Sequence, residues 1–146
     1  MDHDDYTDDY LHDVLTGQGV VAVVGLSNNP SRPSNGVFLA MLRMGFRAVG
    51  VNPGLAGKEI GGAPVYANLA DVPGPIAIVD VFRNSEAAAE TVDEALDLPT
   101  LPRAIWLQLG VRSDEAARRA EARGVKVVMD LCIKVEAMRL RVSPPA

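Results

Sequence analysis

Short apolar runs alternate along this chain with segments of helical spacing, and Gly, Pro or Asn residues separate them. Such alternation is typical of βαβ units around a parallel sheet, whose strands are covered on both faces and are apolar almost throughout. The apolar runs predict five strands and a weaker sixth: Val20 to Val24, Arg47 to Val51, Ile76 to Val81, Ala104 to Leu109 and Val125 to Met129, with the weaker one at Pro64 to Tyr66. We therefore expect an α/β fold with three layers, a Rossmann-like arrangement around a mostly parallel sheet of five or six strands.

Segments with apolar residues three or four positions apart predict the helices. These segments are Thr7 to Leu15, Asn35 to Met44, Ser85 to Leu98, Ser113 to Arg123 and Leu131 to Arg141. In the last segment the spacing places Leu131, Val135, Met138 and Val142 in one apolar row, which we expect to face the core. Because the pattern contains no repeat and no second domain, residues 1–146 are expected to form a single domain, with residues 1–18 as an acidic helical leader.

Composition and charge argue against several classes of partner. With 146 residues, of which 48% are apolar, the chain is long enough to bury a core. The formal net charge of -5 argues against nucleic acid as the main ligand, because that ligand requires a basic face to neutralise its phosphates. Apolar stretches such as Val20 to Leu26 are far shorter than the roughly 18 residues of a membrane span, so no membrane partner is expected.

The cysteine and histidine content restricts the chemistry. Cys132 is the only cysteine, which excludes an internal disulfide and a cysteine-based zinc site and suits a reducing cytoplasm. The only histidines, His3 and His12, lie in the leader, where we expect them to be solvated. The N-terminus is acidic and has no basic cluster followed by an apolar block, so it does not resemble a secretory signal. We expect a cytoplasmic protein without a metal site.

The loop after the first strand is the candidate ligand site, because ligands of open parallel sheets bind beyond the carboxyl ends of the strands. Gly25 allows a tight turn close to a ligand, and Ser27 and Ser34 provide hydroxyl groups. Arg32 provides a planar cation suited to phosphate oxygens, and the free amides at the start of the following helix also favour an anion. The alternative is an ordinary exposed loop, although an arginine between two prolines favours the binding site.

Two common nucleotide sites fit this sequence poorly. Ser27 replaces the second glycine of the NAD fingerprint. The second strand runs into Asn52 and Pro53, without the Asp or Glu that binds ribose hydroxyls in NAD sites. NAD is therefore disfavoured, though not excluded. The Gly57-Lys58 pair is followed by Glu59 and lies in another loop, so a nucleoside triphosphatase loop is excluded.

Four segments resemble the small stand-alone CoA-binding proteins, whose domain is similar to the nucleotide-binding half of the succinyl-CoA synthetase alpha subunit. They lie in the expected order over roughly residues 10–141: Val23-Val24-Gly25-Leu26-Ser27 with Pro30, Arg32 and Ser34; Val51-Asn52-Pro53 leading to Gly57; Val79-Asp80-Val81-Phe82-Arg83; and Trp106-Leu107-Gln108-Leu109-Gly110, followed by Asp130, Cys132 and Glu136. Each motif alone is weak, but together they are specific. The synthetases use a phosphorylated histidine in a separate domain that this chain lacks, so their ligase chemistry is not carried over.

The resemblance implies coenzyme A, or an acyl-CoA, as the ligand. The loop from Gly25 to Ser34, which includes Leu26 and Ser27, is then expected to cradle the CoA phosphates. CoA carries a pyrophosphate and a 3′-phosphate, and this sequence supplies cations at Arg32, Lys58 and Arg83 without a carboxylate beside the ribose. Lys58 has a commoner alternative, because a lysine beside a residue such as Glu59 is usually a solvated loop charge.

The resemblance also implies contacts with the rest of CoA. Asn52-Pro53 and Phe82-Arg83 are expected to border the adenosine, with Phe82 either packing on adenine or simply completing a core strand. Arg83 has an alternative partner in Glu86 on the protein surface. Gln108 and Gly110, at the end of a strand, are expected near the pantetheine, whereas Trp106 in the same strand is expected in the core.

Three functions remain to be compared. The favoured one is a non-catalytic module that binds CoA or acyl-CoA, as a homodimer or together with a partner enzyme. The second is an enzyme, either an NAD(P)-dependent oxidoreductase or a CoA-dependent catalyst that uses Cys132. A thiol at a helix start gains from the helix dipole, but Glu136 one turn later opposes the thiolate, and inert packing is the commoner role of a lone cysteine. The third, a phosphorelay receiver, lacks its acidic pair after the first strand.

Overall fold

The computed structural model describes residues 1–144. They form seven strands: β1 Val20–Val24, β2 Ala48–Val51, β3 Glu59–Ile60, β4 Ala63–Tyr66, β5 Ile76–Val81, β6 Ala104–Leu107 and β7 Lys126–Val128. They also form five α-helices: α1 Asp8–Leu15, α2 Pro33–Arg43, α3 Ser85–Leu96, α4 Asp114–Ala122 and α5 Ile133–Arg139. Every strand and helix expected from the apolar pattern is present, so the α/β fold is confirmed.

The strands form one sheet in the order β3-β4-β2-β1-β5-β6-β7. All neighbours pair in parallel except β3 and β4, which form an antiparallel hairpin. The strand missing from the sequence prediction is β3, which has only two residues. Its signal was the Gly61-Gly62 pair, whose positive φ angles of 60° and 84° suit a two-residue hairpin turn.

Two helical layers cover the sheet, which confirms the three-layer arrangement. Helices α1, α2 and α5 pack on one face through a cluster that includes Leu15, Phe38 and Ile133. Helices α3 and α4 pack on the other face, where Val92 and Ala117 meet the strands. Strands β1 and β5 are buried along their whole length, because helices cover them on both sides.

Helix α5 is shorter than its apolar pattern predicts, and it presents a different face to the core. Val135 and Met138 are 51% and 60% exposed, whereas Ile133 and Ala137 are buried. The expected apolar row was therefore wrong at these two positions, since Ile133 and Ala137, one turn apart, form the row that meets the sheet. No helix within residues 1–144 combines the length and apolar character needed to cross a membrane.

The acidic leader is docked on the outer edge of β7. The Tyr10 hydroxyl donates to the Val127 carbonyl at 2.8 Å and accepts from the Val127 N–H at 3.0 Å. The Tyr6 hydroxyl accepts from the Met129 N–H at 2.9 Å. His3 lies between the Tyr6 hydroxyl, at 2.6 Å, and a Glu121 carboxylate oxygen, at 2.7 Å. The expectation of a solvated histidine was thus wrong for His3, because the leader packs against the sheet.

Aspartates of the leader pair with cations of the body. Asp4 pairs with Arg112 at 2.6 Å and Asp8 with Arg139 at 2.9 Å. Asp13 contacts both Arg103, at 3.0 Å, and Lys126. The negative charge of the acidic leader is therefore partly neutralised by these ion pairs.

We expect the phenol of Tyr10 to stabilise the protein measurably. In Tyr10→Phe, the edge of β7 loses two hydrogen bonds at Val127, so the free energy of unfolding should fall by about 1 to 2 kcal/mol. Urea denaturation at constant m-value measures this change. The matched control is Tyr66→Phe, since the Tyr66 hydroxyl makes no hydrogen bond within residues 1–144. Equal stability of Tyr10→Phe and Tyr66→Phe would contradict the prediction.

Candidate ligand-binding site

A cavity of about 670 Å³ opens at the carboxyl ends of β1, β5 and β6. Its volume is in the range of sites for small molecules and cofactors. Seven of the twelve site residues expected from the sequence line it: Gly25, Ser27, Arg32, Ser34, Phe82, Arg83 and Gln108. The wall also contains Pro33, from the expected loop, and Cys132, the candidate nucleophile of the alternative function. The sequence argument had assigned no role to its other residues, which are Val37, Asn84, Leu109 and Val111.

Gly25 lies where β1 and β5 end side by side. Its φ is 85°, and a Cβ there would come within 2.4 Å of the Phe82 carbonyl oxygen. Both observations exclude a side chain at this position without movement of the backbone. The absence of a side chain allows the β1 loop to turn directly over the end of β5.

The loop after β1 is held in shape by its own polar groups. The Ser34 hydroxyl accepts from the Ser27 N–H at 3.0 Å, and the Ser27 hydroxyl accepts from the Asn29 N–H at 3.0 Å. The Asn35 amide donates to the Ser27 carbonyl at 3.0 Å. Ser34 and Asn35 are both only 5% exposed. The two serines thus shape the loop as well as lining the cavity.

Several donors of this loop have no partner among the described residues. Among residues 1–144, the backbone N–H groups of Asn28 and Ser34 have no acceptor, and the exposed Arg32 guanidinium forms no ion pair. Arg32 is the N-cap of α2 and makes no side-chain capping bond, so the N-terminal end of an eleven-residue helix faces the loop uncapped. Unpaired N–H groups at a helix start, together with a cation, favour a bound anion.

Phe82 and Arg83 form the wall that follows β5. Phe82 is half-buried and packs against the α2 side of the core while lining the cavity. Arg83 donates to the Thr91 hydroxyl at 3.1 Å, and Thr91 in turn donates to the Ala87 carbonyl. No ion pair joins Arg83 to Glu86 within the described residues, so the alternative surface pair is not formed.

The second expected segment, after β2, lies outside the cavity wall. The Asn52 amide donates to the Leu26 carbonyl at 2.9 Å, and its side-chain oxygen accepts from the Gly54 N–H at 2.9 Å. Asn52 therefore ties the β1 and β2 loops together, with exposed Pro53 following it. Leu26 is completely buried and is not part of the cavity wall. Lys58 lines a separate depression with Tyr66 and Asp71.

A buried carboxylate lies behind the cavity wall, and the sequence argument assigned it no role. Asp80, in β5, is 0% exposed, and one of its oxygens accepts from the Gln108 amide. The other oxygen, Oδ2, has no hydrogen-bond partner within residues 1–144. Burial raises the pKa of Asp80 to about 7, while the Gln108 hydrogen bond opposes the rise. The sequence signal was an acid inside the apolar run Val79-Asp80-Val81.

Gln108 connects Asp80 to the start of α5. Its side-chain oxygen accepts from the Ile133 N–H at 3.4 Å, while its amide nitrogen donates to Asp80. Gln108 is 5% exposed, and that remaining surface lines the cavity. Gly110, two residues further on, donates its N–H to the Asp130 carboxylate at 2.6 Å. Gly110 therefore links the loops after β6 and β7 rather than lining the cavity.

Cys132, just before α5, also lines the cavity. It is the N-cap residue of α5 and is half-buried, with its side chain at the cavity. Glu136, one turn later, pairs with Arg139 at 3.0 Å. No carboxylate and no histidine line the cavity beside Cys132 within the described part of the chain. Residues 1–144 also contain no cluster of three His, Cys, Asp or Glu side chains suited to a metal ion.

Comparison with known proteins identifies the family. The model of the CoA-binding domain matches residues 19–138. The chain belongs to the CoA-binding domain family. It is 38% identical over 125 residues to the uncharacterized protein YneT of Bacillus subtilis (strain 168), which covers 86% of this chain and 90% of YneT.

Solved structures of similar size share the fold of this family member. The protein called cell-free ID.343 from Thermus thermophilus is 36% identical, with a TM-score of 0.84, covering 92% of this chain and 99% of that one. A hypothetical protein from Pyrococcus horikoshii OT3 is 30% identical, with a TM-score of 0.85 and 94% of each chain covered. The similarity therefore extends over nearly the whole chain.

We expect the buried Asp80 carboxyl to make stability depend on pH. Its pKa is raised from 3.8 to about 7 by folding, so the carboxyl is neutral in the folded chain and ionised in the unfolded chain between these values. The free energy of unfolding of the wild type, relative to Asp80→Asn, should therefore fall as pH rises through this interval and level off above it. Urea denaturation of both proteins across this pH range measures the difference, and a pH-independent difference would contradict the prediction.

Proposed function

We propose that the protein binds CoA or an acyl-CoA without transforming it, and that the loop after β1 holds the phosphates. The observation that carries this proposal is the unpaired set of donors at the start of α2, which lies on the cavity of a chain from the CoA-binding domain family. Arg32 and the N–H groups of Asn28 and Ser34 suit the pyrophosphate. On this proposal, Arg83 and Phe82 border the adenosine or its 3′-phosphate, and Gln108 lies near the pantetheine.

The loop after β2 favours CoA over NAD. NAD sites of this fold commonly have an acidic residue after the second strand, which binds the ribose hydroxyls. Here that position holds Asn52, whose amide nitrogen and oxygen are both occupied by backbone groups of the two loops. The side chain of Asn52 therefore connects the two loops, and it provides no carboxylate to bind ribose hydroxyls.

The composition of the wall supports a binding role rather than catalysis. General acid-base and covalent catalysis require a histidine, a carboxylate or an activated nucleophile within reach of the substrate. Among the described residues of the wall, the potential nucleophiles are Cys132 and the hydroxyls of Ser27 and Ser34, and no histidine or carboxylate lines the wall to act as their base. A second candidate function, a CoA-dependent enzyme with Cys132 as its nucleophile, is favoured by one observation, the position of Cys132 on the cavity.

The proposal includes a cellular setting. The half-buried, unpaired thiol of Cys132 suits a reducing cytoplasm, where CoA and its thioesters would be available to the cavity. The partner of such a module is either a second copy of the chain or an enzyme that supplies or accepts the CoA ligand.

We expect Arg32→Ala to weaken CoA binding while leaving the fold intact. Loss of a hydrogen bond to a charged group should cost roughly 1.5 to 3 kcal/mol of binding free energy, and the salt dependence of the affinity should become shallower. Isothermal titration calorimetry measures both quantities. The matched control is Arg43→Ala, which removes the same charge from the opposite end of α2 and should bind CoA like the wild type. Unchanged CoA affinity in Arg32→Ala, or equal or tighter binding of NAD by the wild type, would refute the assignment.

We also expect no turnover of CoA thioesters, because no base lies beside Cys132 in the cavity. A panel of acyl-CoAs can be incubated with the protein while free thiol is followed with a chromogenic disulfide, with Cys132→Ser as the control. Both proteins should leave the thioesters intact. Release by the wild type that disappears in Cys132→Ser would establish the second candidate function instead.

A further inference from the structure

The carboxyl group of Asp80 is unusual for a buried acid, because nothing compensates its charge. Its single hydrogen-bond partner within residues 1–144 is the neutral amide of Gln108, and Oδ2 has none. Burying an ionised carboxylate with so little compensation costs free energy, so the presence of Asp80 at this position requires an explanation. Protonation of Oδ2 would remove the charge and leave the bond between Oδ1 and Gln108 in place.

In the described part of the chain, the surroundings of Asp80 contain no charged group that stabilises the ionised form. Its cross-strand neighbours on the same face of the sheet are Val23 of β1 and Trp106 of β6. Helices α1 and α2 contribute apolar side chains to this face, such as Leu11 and Phe38. Burial and the Gln108 hydrogen bond are the two influences on its pKa.

Three ionisable groups line the cavity, and Gln108 lies between this cavity and Asp80. They are the thiol of Cys132 at the start of α5, Arg83 in the loop after β5 and Arg32 in the loop after β1. The ionisable side chains of α1 are directed elsewhere, since Asp13 contacts Arg103 and Lys126 and the Tyr10 hydroxyl bonds to Val127. Asp80 itself does not reach the cavity and is connected to it through Gln108.

We propose that Asp80 is a positioning residue for Gln108 and takes up a proton when CoA binds. This inference rests on the proposed function. A CoA molecule in the cavity displaces water from the surface of Gln108 and brings several negative charges, and both changes disfavour a second negative charge behind the wall. The neutral carboxyl still accepts from Gln108, so the amide keeps its orientation while the charge disappears. The site thereby favours the anionic ligand at lower pH.

Calorimetric proton counting tests this inference on the full chain. CoA is titrated into the wild type and Asp80→Asn near neutral pH, in buffers that differ in ionisation enthalpy. The titrating phosphate of CoA contributes equally to both proteins, so the difference in protons taken up reports on Asp80. We expect greater uptake by the wild type. We also expect the CoA affinity of the wild type, relative to that of Asp80→Asn, to fall about threefold or more between about pH 6 and about pH 8. Uptake of one proton limits this fall to about tenfold per pH unit.

Two further measurements keep the test decisive if Asp80→Asn folds poorly. Infrared difference spectra of the wild type should gain a protonated-carboxyl band when CoA is added. In Gln108→Leu, Asp80 loses the one hydrogen-bond partner that it has among the described residues, so the carboxyl should already be neutral and the band should not grow. CoA binding with no new band, or with equal proton uptake by wild type and Asp80→Asn, would overturn this inference alone. Absence of CoA binding by the wild type would instead refute the proposed function.

Discussion

The parallel pairing of β1 with β5 is the contact on which the candidate site depends. Residues Val21–Val24 of β1 lie opposite Ile78–Val81 of β5, so both strands end at the same level. The chain leaves β1 into α2 on one face of the sheet and leaves β5 into α3 on the other. Since the two helices diverge, neither covers the carboxyl ends of the strands, and a crevice opens between them. Gly25 allows the loop to cross this crevice in contact with the β5 backbone.

The site combines an ordered rim with a buried polar connection to the core. The hydrogen bonds of Ser27 and Ser34 order the loop before any ligand arrives, which reduces the entropy that binding must remove. Behind the opposite wall, Gln108 joins Asp80 of β5 to the first turn of α5. A ligand in contact with Gln108 is therefore one side chain away from a carboxyl group whose charge the fold does not compensate. The hydrogen bonds within the β1 loop and those of Gln108 together explain why polar residues are buried at this end of the sheet.

The two edges of the sheet are protected in different ways. The edge strand β3 has only two residues and turns back on β4, so it offers little backbone to another chain. The edge strand β7 is covered by the leader, whose Tyr6 and Tyr10 hydroxyls satisfy outward-facing groups of Val127 and Met129. Ion pairs of the leader aspartates with arginines of the body hold it there. The leader thus occupies backbone groups at this edge that a further strand would otherwise bind, although it forms no strand itself.

The sequence alone determined the layers, the strands other than β3 and the loop after β1 that lines the cavity, because buried parallel strands are continuously apolar and helices have a regular apolar spacing. It also identified the family resemblance on residues such as Gly25 and Arg32. Local patterns did not determine which face of α5 is buried, because Ile133 and Val135 are equally apolar and only packing distinguishes them. They could not place His3 beside Glu121, over a hundred residues away, or separate Lys58 from the cavity. The tertiary structure alone brought Gln108 onto Asp80, because a contact between two strands depends on sheet order and register, which no short segment encodes.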